Sequence, residues 1–493
     1  MDEIRLVPYN AVFHRVECER GIAEEIKEQF TFFAPNYKFN PKFKFGIWDG
    51  RISLFLPSRK LLYVGLTDRL KKFCQEQNYT LHLPPKNQIN FDLPKEIVSY
   101  NIPVGYQPRD YQTEGFRIGI DNDRGIFLLP TGGGKSLLIY LLARYYLNKT
   151  GKKFLVILPN IGLIKQLRDD FTINYGFDPK NVHEIYSGQE RETSAQIVLT
   201  TWQTAHKLDP RWFDQFGAMV GDEAHTFTAK SLIKIMNNLE NCPYRFGTTG
   251  TLNGEKVHQL VLESLFGPVF RLRSTTELME EGYLSNLNIK FLVLKYPETV
   301  CKSLKSAMSK IPDRRKRYQL ELDYILSNER RNRFIQNLAL SLKGTTLVLF
   351  QYVDKHGKVL YENMKNQSPS RDIYYVSGEV DGETRNDIRK IVETKKDPII
   401  IASSVFQTGT DIKSVQNIIF TSPTKAKIKV LQSIGRGLRT MEGKMECTLY
   451  DIVDDLSYKK HQNYCMKHYF ERVGIYAEEG FDYQSHKINF QTD

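Results

Sequence analysis

The chain has 493 residues, 41% of them hydrophobic and 26% charged, a balance that excludes disordered, collagenous and membrane-embedded polypeptides. A formal net charge of +12 suits an acidic partner such as nucleic acid, though a generally basic enzyme would look the same. The six cysteines form no Cys-x-x-Cys pair, the amino terminus lacks a signal-peptide layout, and no apolar run approaches the ~20 residues of a membrane span, so a reduced, cytoplasmic setting with no membrane is expected.

In chain order, residues 1–95 read as a small α+β domain, aromatic and basic in places. Within it, Tyr37-Lys38-Phe39-Asn40-Pro41-Lys42-Phe43-Lys44-Phe45 alternates strictly enough to predict a strand. Such a strand points Lys38, Lys42 and Lys44 to one face and the aromatics to the other. The lysines and Arg51 are candidate phosphate contacts, and the rings are expected to lie in a core. Asp49-Gly50 just beyond predicts a tight hairpin.

Residues 96–273 carry short, continuous apolar runs at 126–129, 154–158, 197–199 and 218–220, the signature of strands buried on both faces of a parallel sheet. A second set at 347–350, 373–376, 399–402 and 417–420 falls within 274–457, and residues 458–493 are expected to form a helical tail packed on that domain. The fold class is therefore α/β: two tandem domains with parallel sheets, preceded by the small α+β domain.

Chemistry concentrates at strand ends. Leu129-Pro130-Thr131-Gly132-Gly133-Gly134-Lys135-Ser136 follows the run at 126–129 and opens an apolar helical stretch. The glycines let backbone N–H groups approach phosphates where a Cβ would clash; Lys135 can reach the outer phosphates and the Ser136 hydroxyl can hold Mg2+. Leu129 stands where the full pattern has its first glycine. Further on, Val220-Gly221-Asp222-Glu223-Ala224-His225 ends an apolar strand in two acids, at the edge where open α/β sheets bind ligands. Asp222 suits Mg2+ and Glu223 suits polarising a water, although alone the pair reads equally as a solvated strand end. In Leu431-Gln432-Ser433-Ile434-Gly435-Arg436-Gly437-Leu438-Arg439, helical spacing puts Gln432, Arg436 and Arg439 on one face, which fits stabilisation of a departing phosphoryl group or a basic face in salt bridges.

Taken in order from Arg109-Asp110-Tyr111-Gln112 through these segments, Thr249-Gly250-Thr251 and the stretch from Ser403 to Asp411, residues 106–455 resemble the superfamily two helicases and translocases. The resemblance implies two RecA-like domains that use ATP and Mg2+. Gln112 would read the adenine with Arg109 nearby, and Pro130, Thr131, Gly132, Gly133, Gly134, Lys135 and Ser136 would hold the nucleotide. Ser136 and Asp222 would serve the metal and Glu223 the water. Gly409 and Asp411 would meet ribose and phosphates, with Arg436 and Arg439 as fingers. Gln432 and His225 would couple this machinery to nucleic acid. Pro159, Asn160, Gln166, Ser187, Gly188, Thr201, Trp202, Gln203, Ser377, Gly378, Arg385 and Ser403 match the segments that hold a strand by phosphate and sugar. Asn160 and Ser403 stand where threonine is commoner.

The letters Asp-Glu-Ala-His suggest an RNA helicase, but Gly250, Ser433 and Leu438 depart from that group's motifs. The amino-terminal region, the Arg-x-Tyr-Gln entry and an expected helix at 332–342 are similar to the phage UvsW-type branch-migration helicases. That likeness implies branched or forked DNA as partner, with recombination, repair or replication as setting and a monomer as the usual state. A basic run at 314–317 reads equally as a duplex contact or a solvated face.

Overall fold

The computed structural model describes residues 3–85, 92–252, 256–377, 382–403, 414–422, 434–435, 438 and 446–490, and of Glu383, Arg385, Asn386 and Arg389 it describes the backbone alone. The chain divides into two compact units: Met1–Leu129 with Gly134–Arg273, and Pro130–Gly133 with Ser274–Asp493.

In the first unit the strands are β1 (Glu3–Pro8), β2 (Phe13–Glu17), β3 (Thr31–Phe33), β4 (Arg51–Ser53), β5 (Phe55–Leu56), β6 (Leu61–Tyr63) and β7 (Thr80–His82), then β8 (Arg124–Leu128), β9 (Lys153–Leu158), β10 (Val182–Ile185), β11 (Ile197–Thr201), β12 (Phe216–Asp222), β13 (Tyr244–Thr249) and β14 (Val269–Arg271). The amino-terminal sheet runs β5-β6-β2-β1-β7, antiparallel except where β7 joins β1. Helices Arg20–Gln29 and Thr67–Gln77 bury Ile22, Ile26, Leu70 and Phe73 with Ile4, Leu6 and Val16 of the sheet.

This small domain is packed firmly on the helix Lys256–Phe266, whose Val261 enters its core. Arg69 grips the buried Glu263 with two hydrogen bonds of 2.6 and 2.9 Å. Gly65 approaches the same helix so closely that a Cβ would stand 2.1 Å from the Glu263 carbonyl oxygen. Ala11 adds a backbone bond to the Glu240 carbonyl, and Arg124 donates to the Ala11 carbonyl.

The larger sheet of this unit runs β10-β11-β9-β12-β13-β8-β14, every pairing parallel. Its central strands are buried along their length, which is why they read as continuous apolar runs rather than alternating ones.

In the second unit β15 (Asn286–Lys295), β16 (Thr345–Phe350), β17 (Ile373–Val376), β18 (Ile399–Ser403), β19 (Val415–Phe420), β20 (Glu446–Asp455) and β21 (Tyr483–Asn489) pair in the order β17-β18-β16-β19-β20-β15-β21, again all parallel. With strands numbered in chain order within its own sheet, each large sheet runs 3-4-2-5-6-1-7. The tandem α/β architecture expected from the apolar runs is present.

The carboxyl-terminal segment contributes the helix Tyr464–Glu478 and the edge strand β21. Glu321, fully buried, accepts from the Tyr464 and Cys465 amides at 2.9 and 2.8 Å, so a carboxylate sits on the helix's positive end. Arg472 holds Asp451 of β20 through two 2.7 Å bonds. Strand β21 was not anticipated: its side chains are nearly all exposed and polar, so no apolar pattern announces it. The helix expected at 332–342 spans Glu329–Ser341. Arg314–Ser327 is also helical; Arg314, Arg315 and Lys316 of its basic run are exposed, while Arg317 donates to the Ile311 and Pro312 carbonyls.

Three expectations for the amino-terminal domain are overturned. Residues 37–45 are not a strand but a 3-10 turn, Tyr37–Phe39, followed by the short helix Pro41–Lys44. The reason is local: Asn40 accepts from the Lys42 amide, and Pro41 sits in the first turn with its φ already set for a helix. The aromatics are not a core face either, since Phe39 and Phe45 are 72% and 78% exposed. Asp49-Gly50 makes no tight hairpin: β3 pairs with β4 across the whole excursion 34–50, and Gly50 at φ 83° leads into β4.

Candidate nucleotide and nucleic-acid sites

All strands of the first large sheet run the same way, so their carboxyl ends form one edge. Half of that edge, at β8, β13 and β12, carries the groups expected to serve the nucleotide. After β8 the chain turns through Gly132 and Gly134, at φ 83° and 78°, into the helix Lys135–Thr150. Gly134 is required twice over, because a Cβ there would also stand 2.2 Å from the Gln112 amide nitrogen. Gln112 is buried and uses both ends of its amide: Oε1 accepts from the Arg109 amide at 2.8 Å, and Nε2 donates to the Gly134 carbonyl at 3.0 Å. It therefore ties the first turn of the helix Asp110–Asn122 to the glycine loop. Arg109 reaches the Tyr111 hydroxyl at 2.6 Å. Gly133 closes a turn back to the Pro130 carbonyl, and Lys135 Nζ folds over the loop to the Leu129 carbonyl at 3.1 Å.

Asp222 ends β12 and accepts from Thr248 Oγ1, its neighbour across the register in β13, at 2.8 Å. Burial, then the adjacent Glu223 carboxylate, pushes the Asp222 carboxyl above its usual range, while Lys135 pulls it back. Glu223 occupies the left-handed region at φ 51°, a strained backbone for a residue with a side chain, at the point where the strand breaks into a 3-10 turn. His225 Nδ1 lies 2.9 Å from Thr249 Oγ1 and 3.3 Å from Glu223 Oε2. A short chain of polar contacts thus joins the acidic strand end to the Thr249-Gly250-Thr251 segment, where Thr249 Oγ1 also bonds the Thr251 carbonyl at 3.0 Å.

The other half of the edge, at β9, β11 and β10, brings together the segments expected to meet nucleic acid. Asn160, beside Pro159, caps the helix Ile161–Asp169 by accepting from Leu163. Its Nδ2 is buried with no hydrogen-bond partner among the described residues. Gln166 is half-buried on that helix. Thr201 caps Trp202–Ala205, and Gln203 donates to the Pro159 carbonyl at 3.3 Å, linking two of these segments directly. Ser187 and Gly188 are exposed just past β10, with Gly188 at φ 86°.

In the second unit, Ser377 follows β17 and Ser403 ends β18, adjacent strands whose carboxyl ends lie together. Both are buried, and Ser403 Oγ has no hydrogen-bond partner among the described residues. Gly378, Gly409, Asp411, Gln432, Arg436 and Arg439 lie outside the described residues, as does the side chain of Arg385. Lys38, Lys42, Lys44 and Arg51 are exposed on the amino-terminal excursion.

Two contacts escaped the sequence. Ser136 Oγ lies 2.8 Å from the hydroxyl of Tyr175, which follows a π-helical turn, Asp170–Asn174, at the end of the Asn160-capped helix. Thr248 reaches Asp222 only through strand register. A Tyr 39 positions beyond a Ser, or a Thr 26 beyond an Asp, leaves no local signal. The six cysteines are free, and no described helix is long and apolar enough to cross a membrane.

Comparison with known proteins identifies the family. Residues 3–84 match the family model for the DNA helicase UvsW amino-terminal domain, 105–254 that for the type III restriction enzyme res subunit, and 329–441 that for the helicase conserved carboxyl-terminal domain. The chain is 37% identical to the ATP-dependent DNA helicase UvsW of Enterobacteria phage T4, covering 96% of this chain and 97% of that one. It is 25% identical to the DNA 3'-5' translocase XPB2 of Sulfurisphaera tokodaii over 70% of this chain and 81% of the relative. The crystal structure of T4 UvsW aligns with a TM-score of 0.52 at 33% identity, covering 99% of this chain and all of the other. With that identity along nearly its whole length, the chain belongs to the UvsW family of superfamily two helicases.

Proposed function

We infer that the chain is an ATP-dependent DNA helicase or translocase that remodels branched DNA, such as forks, displacement loops and junctions, in recombination, repair or replication restart. The observation that carries this reading is the divided edge of the first large sheet: a glycine loop, lysine and two carboxylates on one half, hydroxyl and amide groups on the other. One rigid sheet can then transmit a change at the nucleotide to a bound strand.

The residues present fit a magnesium nucleotide. The Ser136 hydroxyl and Asp222 carboxylate are hard oxygen donors, and a divalent cation would offset the burial and the Glu223 repulsion that raise Asp222. No described cluster of three or more His, Cys, Asp or Glu could cage a metal, which suits an ion held mainly by phosphates and water. When bound, Mg2+ neutralises phosphate charge. The amides of Gly132 and Gly134 cradle phosphate on either side of the Gly133 turn, and Lys135 meets the outer oxygens. Glu223 orients and polarises the attacking water. Arg109 and Gln112 serve the base. Gly409, Asp411, Gln432, Arg436 and Arg439 take the ribose, phosphate and finger roles by resemblance.

Asn160, Gln166, Ser187, Gly188, Thr201, Trp202, Gln203, Ser377, Gly378, Arg385 and Ser403 hold one strand by its backbone. Lys38, Lys42, Lys44 and Arg51 bring phosphates to the amino-terminal domain. The protein works as a monomer in the cytoplasm, that of the host if a phage encodes it.

The test is a panel of forks, four-way junctions, displacement loops, single-stranded DNA and RNA, with ATP consumption and strand separation both measured. Branched DNA should stimulate most, and Lys135→Ala should abolish hydrolysis while leaving DNA binding intact. Stimulation by RNA alone, or full hydrolysis by Lys135→Ala, overturns the reading.

A further inference from the structure

The excursion 34–50 between β3 and β4 displays apolar surface to solvent without a partner to cover it. Phe39, Phe45 and Ile47 are 72%, 78% and 73% exposed, and Phe33 at its base is 46% exposed. Isolated exposed apolar residues are ordinary on a protein surface, but four within one 15-residue stretch, Phe33 to Ile47, make a candidate binding surface.

The excursion is built rather than slack. Tyr37 packs against Phe33 and Phe43, with ring centroids 4.5 and 4.8 Å away. Gly50 lies so near Tyr37 that a Cβ would stand 2.4 Å from its ring. The amides of Ile47 and Trp48 both donate to the Lys42 carbonyl, and the Trp48 indole donates to the Arg51 carbonyl at 2.8 Å. Tyr37 and Phe43 thus form a small internal core, while Phe39 and Phe45 are left outside it. Holding rings in place beforehand lowers the entropy lost when they bind.

Charge selects the partner. Lys38, Lys42, Lys44 and Arg51 stand against a single acid, Asp49, which is already engaged by the Arg51 amide. Arg51 lies over the Phe33 ring at 5.0 Å. Exposed rings among cations fit a ligand that is flat and apolar on its faces and anionic along its backbone. Unpaired nucleobases answer that description; in a duplex their faces are already stacked.

We propose that this excursion is a base-stacking tooth: Phe39 and Phe45 pack on unpaired bases at the branch of a DNA substrate, with Ile47 adding apolar contact, while Lys38, Lys42 and Lys44 hold the flanking phosphates. This rests on the DNA reading above and extends it from phosphate attraction to recognition of the branch itself.

The test uses the full chain and forked DNA with 2-aminopurine at the first unpaired position, beside a duplex of equal length. The wild type should change the probe's fluorescence and prefer the fork. F39A/F45A should lose the fluorescence change and reduce fork preference by at least about 5-fold, with duplex affinity retained. F39L/F45L, which keeps apolar bulk on a fully exposed surface, should behave like the alanine variant. K38A/K42A/K44A should weaken binding to both DNAs and lower the salt slope by about 2 to 3. Wild-type fluorescence and fork preference in F39A/F45A overturn the proposal and point to a protein partner. Wild-type fluorescence and fork preference in the leucine variant also overturn it, because apolar contact without stacking would then suffice. Wild-type salt dependence in the lysine variant removes the phosphate role alone. Failure of the wild type to bind any DNA removes the underlying DNA reading.

Discussion

The two large sheets share one strand order, yet the same three strand ends do different work in each. In the first sheet, the ends of the first, fifth and sixth strands present Lys135, Asp222 and Thr248 around a glycine loop. In the second, the equivalent ends carry Tyr296, Thr421 and Asp454, closed by Arg331. Arg331 donates to Asp454 at 2.7 Å and to the Thr421 carbonyl at 2.7 Å, and both charged side chains are essentially buried. No glycine loop follows β15; Tyr296 and Pro297 lead directly into the helix Glu298–Ser309. One sheet gathers polar groups at that edge, while the other seals the same place with an internal ion pair. Topology supplies a location, and the side chains decide whether it becomes a site or a joint.

That contrast predicts opposite consequences from removing a cation at the same place in each fold. Lys135→Ala should lower ATP turnover by about 10³-fold or more, with the melting temperature nearly unchanged, because the role proposed for this side chain is to organise a ligand and not a core. Phosphate release and thermal unfolding read the two quantities; a large fall in stability would break the comparison and the proposed ligand role of Lys135 with it. Arg331→Met should instead destabilise the second unit by about 3–5 kcal/mol in urea unfolding, because Asp454 is left buried and unpaired. Replacing both partners, R331M/D454L, should recover much of that loss; if it does not, the pair contributes more than mutual neutralisation.

A smaller effect concerns pH. His356 is buried beside Arg331, with Nε2 3.2 Å from Asn332 Oδ1, and burial and then Arg331 push its pKa down to about 3. The folded state therefore refuses a proton that the unfolded chain accepts below about 6.5. Stability is full above that pH and falls as the pH drops towards 3, by about 3 kcal/mol between 6.5 and 4. His356→Gln should flatten this slope in denaturant titrations, and an unchanged slope would assign the acid sensitivity elsewhere. His14 in the first unit, pushed down to about 4 by burial and Arg124, adds a fall of the same sign.

The smallest effect tests the open edge. Tyr175→Phe removes the hydroxyl beside Ser136, and the Mg2+ concentration for half-maximal ATP hydrolysis should shift a few-fold. Magnesium-dependent nucleotide binding, followed by calorimetry, should shift with it; no shift in either would make the Tyr175 contact purely structural.

Much of this was legible beforehand because its signals are local. Apolar runs such as 154–158 and 347–350 read as strands buried on both faces, and they formed β9 and β16. Gly132 and Gly134 announced a phosphate-shaped turn because few other residues take their φ values. Residues 37–45 misled because strict alternation outweighed Asn40-Pro41, a capping signal that fixed a helix start. Strand β21 was silent because an exposed, polar edge strand is held by backbone pairing with β15, and backbone pairing leaves no mark on composition.

The sequence alone determined the residue types at each strand end, and with them a nucleotide-driven motor of tandem α/β domains. Tertiary structure decided which of those residues meet: Thr248 with Asp222, Tyr175 with Ser136, His225 with Thr249, and Arg331 with Asp454. Those partners are separated by 24 to 123 residues, so only strand register and helix packing bring them within hydrogen-bond reach. It also decided that Phe39 and Phe45 face water, because whether a ring is core or contact depends on what the rest of the chain leaves uncovered.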